Sequence, residues 1–345
     1  MPETLKNILL IKPSSLGDVV QALPALTALR KCFPQAKISW LIRPEFAPLI
    51  QNHPHLNEII FFDRKILGKA WHSPHALASL FHLIQKLRQS RFDAVVDLQG
   101  LFRTASLAWL TGCKKRFGPA NAREFGSLFY THKVRQNESS IHVVDFYLKI
   151  VKALGASDIK PEFVLPLDQS AADSVKRKLE NQKISFGEYA VFVPGSLHPS
   201  KQWPIERFAE LADKISGKFK LPIIAVGSAG EKGLIEKLTG LAKAPIINFA
   251  GSTNLPELVA LLKKARIVVS NDTGPGHIAA VLGTPLVMMF SWSNPARIAP
   301  YGRTECMVAK EPYGRGTQIR SDDPEHNVEQ ITVDEVYQKV CEQLA

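Results

Sequence analysis

A chain of 345 residues with 45% apolar and 22% charged side chains is long enough for two domains, and needs neither a metal nor a disulfide framework to close its core. Its four cysteines, at 32, 113, 306 and 341, are too scattered for a metal-type pair or a disulfide scaffold, which fits a reducing cytosol. The net charge of +11 is unevenly placed, with +10 in residues 1–167 and +1 in residues 168–345, so the first half alone is expected to meet an acidic partner such as nucleic acid, anionic lipid or a phosphorylated substrate.

The opening MPETLKNILLIK lacks the basic start and long apolar stretch of a signal peptide. Asn7–Lys12 reads as a buried parallel strand that runs into a Pro-Ser-Ser turn. A helix is expected over Asp18–Cys32 on the spacing of Val19, Leu23, Leu26 and Leu29, with Pro24 a possible kink or start signal. Ile38–Ile42 and Phe92–Asp97 read as further strands, the latter followed by the turn Leu98-Gln99-Gly100. His142–Leu154 reads as a helix and Pro161–Pro166 as an extended connector.

The second half alternates more cleanly. Strands are expected at Ala190–Val193, Ile223–Val226, Ile267–Ser270 and Leu286–Phe290. Helices are expected at Glu206–Ile215, Glu231–Leu241, Pro256–Lys264, His277–Leu282 and Val333–Leu344. Such alternation implies parallel βαβ units, so both halves are read as doubly wound α/β domains, divided at 1–170, 171–325 and a terminal helix over 326–345. The longest apolar stretch, His277–Trp292, is interrupted by Gly283-Thr284-Pro285 and falls short of the roughly 20 residues of a membrane span. The expectation is a cytoplasmic protein.

Ligands of open α/β sheets bind beyond the carboxyl ends of the strands, and two strand ends here are unusual. Pro13-Ser14-Ser15-Leu16-Gly17-Asp18 places small residues and a carboxylate at a helix start. Asp18 and Ser15 there are either plain caps or, for Asp18, a general base for an acceptor hydroxyl. Ser270-Asn271-Asp272-Thr273-Gly274-Pro275-Gly276-His277 follows a buried strand and opens a helix. It is either a tight turn capped by Asp272 or an anion site, with Gly274 and Gly276 clearing the way for a diphosphate. Between them, Pro194–Pro204 carries Ser196 and Lys201, which are expected to meet phosphate oxygens. No G-x-G-x-x-G follows the first strand, no P-loop is present and no metal-ligand spacing occurs. Arg64–Arg91 holds six Lys/Arg and three His without an acid, and no acid lies between Leu98 and Arg123.

Four stretches, ILLIKPSSLGDVVQALPAL, FDAVVDLQGLFRTA, AREFGSLFY and NDTGPGHIAAVLGTP, occur in an order and at separations that resemble the bacterial lipopolysaccharide heptosyltransferases, glycosyltransferase family 9, with the type I members the nearest fit. The resemblance covers nearly the whole chain. It implies a GT-B fold, two Rossmann-like domains facing across a cleft with the last helix returning to the first. It also implies an inverting transfer that uses no cofactor and no metal. The donor would be ADP-L-glycero-β-D-manno-heptose and the acceptor the Kdo region of lipid A-linked inner core. By position, Asp18 matches the catalytic base. Lys201, Ser196, Glu231, Asp272, Thr273, Gly274 and His277 match the donor site, with Lys201 on the diphosphate and Glu231 on the ribose. Ser15, Gly17, Arg64, Lys69 and Arg123 fall in the acceptor region. Leu197 replaces a second hydroxyl, Thr253 replaces an apolar adenine contact, and PGSLHPSKQWP looks more like the type II enzymes. Lipid A would bring the basic half to the anionic inner leaflet, as a peripheral enzyme on the cytoplasmic face. The alternatives are a GT-B transferase with a different sugar or acceptor, type II and III included, and a non-catalytic nucleotide- or nucleic-acid-binding protein. The latter finds no recognition motif here, so no nucleic acid is expected as a partner.

Overall fold

The computed structural model describes residues 5–69, 72–156 and 159–345. The chain divides into two compact units, Met1–Pro166 and Leu167–Ala345. The boundary lies just before the expected one, at the end of the Pro161–Pro166 connector, which has no regular structure.

The first unit runs β1 (Asn7–Ile11), α1 (Leu16–Cys32), β2 (Lys37–Ile42), β3 (Glu58–Phe61), α2 (Arg64–Leu67), α3 (Pro74–Gln89), β4 (Ala94–Asp97), α4 (Phe102–Leu110), β5 (Arg116–Pro119), β6 (His132–Val134) and α5 (Val143–Lys152). The strands form one sheet in the order β3-β2-β1-β4-β5-β6. All its pairings are parallel, with Ile8 opposite Ile38 on one side and Ala94 on the other. Ile8 to Ile11 are wholly buried, as a central strand covered on both faces requires.

The second unit runs α6 (Gln169–Glu180), β7 (Ala190–Val193), α7 (Ile205–Phe219), β8 (Ile223–Ala225), α8 (Lys232–Leu241), β9 (Ile246–Asn248), α9 (Leu255–Lys264), β10 (Ile267–Asn271), α10 (Gly274–Val281), β11 (Leu286–Met289), α11 (Pro295–Ile298), β12 (Met307–Val308) and α12 (Val333–Leu344). Its sheet order is β12-β11-β10-β7-β8-β9, again parallel throughout. Numbered within each unit, both sheets have the doubly wound order 3-2-1-4-5-6. The direction of winding reverses between β1 and β4 in one unit and between β7 and β10 in the other. Those two crevices are where the loops after neighbouring strands turn away from each other.

Three expectations change. Helix α1 begins at Leu16 and continues through Pro24 to Cys32. The lost backbone bond costs about 3 kcal/mol, which is outweighed because α1 is buried along most of its length, with Val19, Leu23, Leu26 and Leu29 fully enclosed. The terminal helix is part of the second unit, which extends to Ala345 rather than closing at 325. Val333, Val336 and Val340 join its core beside Phe208 and Leu211, and Trp203 donates its indole N–H to the Ile331 carbonyl at 2.8 Å. Finally, β3, β5, β6, β9 and β12 were not anticipated. Each has two to four residues, too few to show a period. No helix among the described residues is long and apolar enough to cross a membrane.

Candidate functional site

In the first unit the loop after β1 carries Lys12 to Ser15 into the start of α1. Asp18, in the first turn of α1, reaches back so that its Oδ2 accepts from the Ser15 N–H at 2.9 Å and the Ser15 hydroxyl at 2.7 Å. The capping role foreseen for Asp18 is therefore real, but it uses only one oxygen. Oδ1 faces the Lys12 ammonium at 3.3 Å. The Lys12 side chain is 4% exposed and that of Asp18 is 37% exposed. Asp18 is open to a ligand; Lys12 is behind it. The Lys12 ammonium also lies 5.3 Å from the centre of the Tyr147 ring, delivered by α5.

Burial works against both charges. For Lys12 it is outweighed by the Asp18 carboxylate and Tyr147, and the ammonium is held more firmly protonated than usual. For Asp18 it is outweighed by Lys12 and the Ser15 donors, and the carboxyl is held below its ordinary range. Asp18 is thus ionised at neutral pH, as a proton acceptor must be. Sequence reading missed Lys12, although a lysine closing the apolar run NILLI is itself a signal, since a buried lysine needs a partner.

Across the crevice, β4 ends in the fully buried Asp97. Its carboxylate accepts from the Tyr130 hydroxyl at 2.7 Å and the N–H groups of Gln99 and Gly100 at 2.8 and 3.3 Å. Burial nonetheless pushes its carboxyl above the usual range. Asp97 shapes the Leu98–Gly100 turn beside the Asp18 loop and is enclosed by protein. The buried Oε1 of Gln99, in that turn, has no hydrogen-bond partner. Gly17 is buried and Ser15 exposed. The other proposed acceptor residues flank this crevice at a distance. Arg64 and Lys69 are exposed on and just after α2, beyond the edge strand β3. Arg123 is exposed after β5, its backbone N–H bonded to the Gly100 carbonyl at 3.0 Å.

The second crevice brings together residues far apart in sequence, Lys201 and Asp272 being separated by 71 positions. Lys201, from the loop after β7, meets Asp272, after β10, at 2.5 Å. The same carboxylate oxygen accepts from the Ser293 hydroxyl at 2.7 Å, and His277 Nε2 lies 3.4 Å from the other oxygen. Asp272 is 4% exposed, Lys201 13% and His277 8%. Burial would raise the Asp272 carboxyl; the His277 hydrogen bond and the Lys201 charge overcome it and hold it far below the carboxylate range. The Lys201 ammonium also sits 4.7 Å from the centre of the Trp292 ring. Asn271 locks the two loops together: its Oδ1 accepts from the Trp203 N–H at 3.1 Å and its Nδ2 donates to the Pro194 carbonyl at 2.8 Å.

Details of this site differ from the sequence reading. The cap of α10 is Thr273, not Asp272, because Asp272 is committed to Lys201 and His277. Gly276 is required by packing rather than by ligand approach, since a Cβ there would stand 2.8 Å from Ser270 Oγ and 3.1 Å from Met288 Cε. Pro275 has no N–H, so the donors at the start of α10 are Gly274 and Gly276. Thr273 Oγ1 lies 3.2 Å from Ser270 Oγ. Ser196 Oγ accepts from the His198 N–H at 3.3 Å, a local turn contact. Glu231 stands before α8, where its carboxylate accepts from the Ser228 N–H and hydroxyl at 2.6 and 2.8 Å. A Cβ at Gly195 would collide with that carboxyl. The glycines at 195 and 227 thus seat Glu231 between the ends of β7 and β8, a role invisible from sequence spacing. Leu197 is 92% exposed. Serine 293 and Trp292 were missed, as they lie beyond β11 with no motif around them.

Comparison with known proteins fits this arrangement. Residues 80–328 match the model of glycosyltransferase family 9 (heptosyltransferase). The chain is 30% identical over 312 residues to the lipopolysaccharide core heptosyltransferase OpsX of Haemophilus influenzae, covering 89% of this chain and 85% of that one. It superposes on a family 9 glycosyl transferase from Veillonella parvula with a TM-score of 0.83 at 22% identity, over 100% of this chain and 98% of that one. With Escherichia coli heptosyltransferase WaaC, solved with ADP-2-deoxy-2-fluoro heptose, the TM-score is 0.72 at 27% identity, over 97% and 99% of the two chains. The α/β expectation of a GT-B protein with two Rossmann-like units is borne out. The chain therefore belongs to glycosyltransferase family 9, the heptosyltransferases.

Proposed function

We propose that this enzyme transfers heptose from ADP-L-glycero-β-D-manno-heptose to the Kdo region of the lipopolysaccharide inner core, on a lipid A-borne acceptor. The observation that carries the reading is the pair of crevices: an ionised, half-open carboxylate in one, a buried Lys201–Asp272–His277 cluster in the other. The heptose-nucleotide analogue held by WaaC and the acceptor class of OpsX support the choice of substrates. A type I acceptor is favoured by the run of motifs that opens with Lys12 to Asp18.

In the proposed step an acceptor hydroxyl attacks the anomeric carbon as the bond from that carbon to the diphosphate oxygen breaks. The hydroxyl proton passes to Asp18, and ADP leaves with the electron pair. Configuration at the anomeric carbon inverts because attack and departure are on opposite faces. Lys201 and the α10 N–H groups meet the charge that builds on the diphosphate. Asp272 holds Lys201 and His277 in place before the donor arrives, and Glu231 faces the ribose. Ser196 and Thr273 offer hydroxyls to the phosphates. Ser15 and Gly17 shape the acceptor loop, with Arg64, Lys69 and Arg123 drawing in anionic acceptor groups. With these charge partners the reaction is read as metal-independent, so turnover in a chelator should match turnover without it. The protein works peripherally on the cytoplasmic face of the inner membrane, where its basic first unit meets anionic lipid.

The decisive test is mass spectrometry of Kdo-lipid A incubated with ADP-heptose and the protein, followed by Asp18→Asn. The expected product is the acceptor plus one heptose. Turnover should fall by about 10²–10⁴-fold in the variant while ADP affinity is kept. A variant with wild-type turnover would remove Asp18 as the base, and preference for a hexose nucleotide would remove heptose as the donor.

A further inference from the structure

We infer that the exposed aromatic face formed by α4 and the 3₁₀ turn Gly126–Phe129 is the surface through which this enzyme docks on an anionic bilayer. The inference rests on the lipid-borne acceptor proposed above and adds the part of the molecule that meets the lipid.

Phe125 is 82% exposed, Leu128 72%, Trp109 53% and Phe102 49%. Two of them meet through a third ring, and the other two flank that ring in the turn. The rings of Phe102 and Trp109, two turns apart on α4, both pack on Phe129, with centroids 5.5 and 6.1 Å away. Apolar side chains gathered at one place on a surface mark an interaction site, whereas single ones do not.

The backbone holds the patch outward. Glu124 and Phe125 are consecutive non-glycine residues in the left-handed region, at φ 57° and 59°. The turn they open is pressed on α4, where a Cβ at Gly126 would stand 3.2 Å from the Leu101 carbonyl carbon and 3.3 Å from the Phe102 nitrogen. Two consecutive non-glycine residues in that region mark a turn whose shape the surrounding structure enforces.

Charge selects the occupant. The stretch Leu98–Leu128 contains Arg103, Lys114, Lys115, Arg116 and Arg123 against one acid, Glu124. Arg103 lies on α4, the Arg116 guanidinium donates to the Phe129 carbonyl at 2.7 Å and Arg123 stands two residues before Phe125, so cations border the rings, the pattern of a surface that lies in an anionic lipid interface. The placement also suits the chemistry. Helix α4 begins directly after the turn shaped by Asp97, the Arg123 N–H bonds to the Gly100 carbonyl at 3.0 Å and Gly126 packs on Leu101 and Phe102, so Phe102 and the start of the 3₁₀ turn stand at the strand ends next to the Asp18 loop. A bilayer against this face would present the headgroup of an anchored acceptor to that edge.

The test is sedimentation of the full-length enzyme with vesicles of mixed phosphatidylglycerol and phosphatidylethanolamine, beside transfer to a deacylated, water-soluble acceptor. The double variant Phe125→Ser/Leu128→Ser should bind vesicles about tenfold or more weaker and keep its transfer to the soluble acceptor within about twofold. In a second measurement that needs no fold-sensitive change, brominated lipid should quench the wild-type tryptophan fluorescence, and Trp109→Phe should lose most of that quenching. Wild-type protein that does not bind the vesicles, a double variant that binds as well as wild type, or quenching unchanged in Trp109→Phe would each overturn the docking surface. Failure of the wild type to glycosylate the soluble acceptor would instead count against the proposed function.

Discussion

Lys12 is a positioning residue by its geometry: it is buried and its ammonium faces Asp18 at 3.3 Å. Replacing it with methionine keeps the bulk and removes the charge that holds Asp18 ionised. The acidic limb of the pH–kcat profile should then move to higher pH, with KM for the donor little changed. A limb that stays where it was would show that Lys12 serves only the fold. His53 makes a separate prediction about stability. Its Nε2–H donates to the Val164 carbonyl at 2.9 Å and its Nδ1 accepts from the His55 N–H at 3.1 Å, so the neutral ring is fully satisfied. Burial, with His55 adding to it against the Val164 bond, lowers its pKa from 6.5 to about 4. Between those values the unfolded chain takes up the proton and the folded chain does not. Stability is therefore complete above pH 6.5 and falls on acidification, by up to about 3 kcal/mol near pH 4. His53→Gln should flatten the melting temperature in that window; an unchanged slope would assign the acid sensitivity elsewhere.

At the scale of the element, the turn from β10 to α10 is where sequence, packing and chemistry meet. Its glycine at 276 lets the helix start close on Ser270 and Met288. Gly276→Ala should destabilise the enzyme by about 1–3 kcal/mol, read as a lower urea midpoint, because Ser270 Oγ is also held by the Asn271 carbonyl at 2.7 Å. A midpoint equal to wild type would mean that Met288 moves aside freely. In contrast, the helix start at Asp18 is shaped by polar contacts. One residue there does two jobs, capping α1 with one oxygen and leaving the other on Lys12 toward solvent.

Among the described residues the strands form two sheets of equal strand number, with each strand paired inside its own unit. The second unit has its own core, sealed by α12 and Trp203. A fragment starting at Leu167 is expected to unfold cooperatively on its own and to retain ADP binding in a calorimetric titration. A fragment that melts without cooperativity would show that the first unit is needed for its folding. The charge asymmetry also belongs to this scale, since no single lysine carries it. Raising salt well above the physiological range should weaken vesicle association of the enzyme without altering its fold.

The sequence by itself determined the class of each half, because strands buried on both faces read as apolar runs and their alternation with helices leaves little choice but parallel sheets. It also located both crevices, since chemistry in such sheets lies just past the strand ends and Asp18, Lys201 and Asp272 all fall there. It was silent on short edge strands, whose few residues carry no period. Only the tertiary structure decided which groups pair. Lys12 with Asp18, Lys201 with Asp272 and Ser293, and Glu231 against Gly195 are set by strand order and by side chains meeting in three dimensions. A charge that reads as solvated in the chain becomes, once buried, a group that must find its partner, and the partner is chosen by the fold.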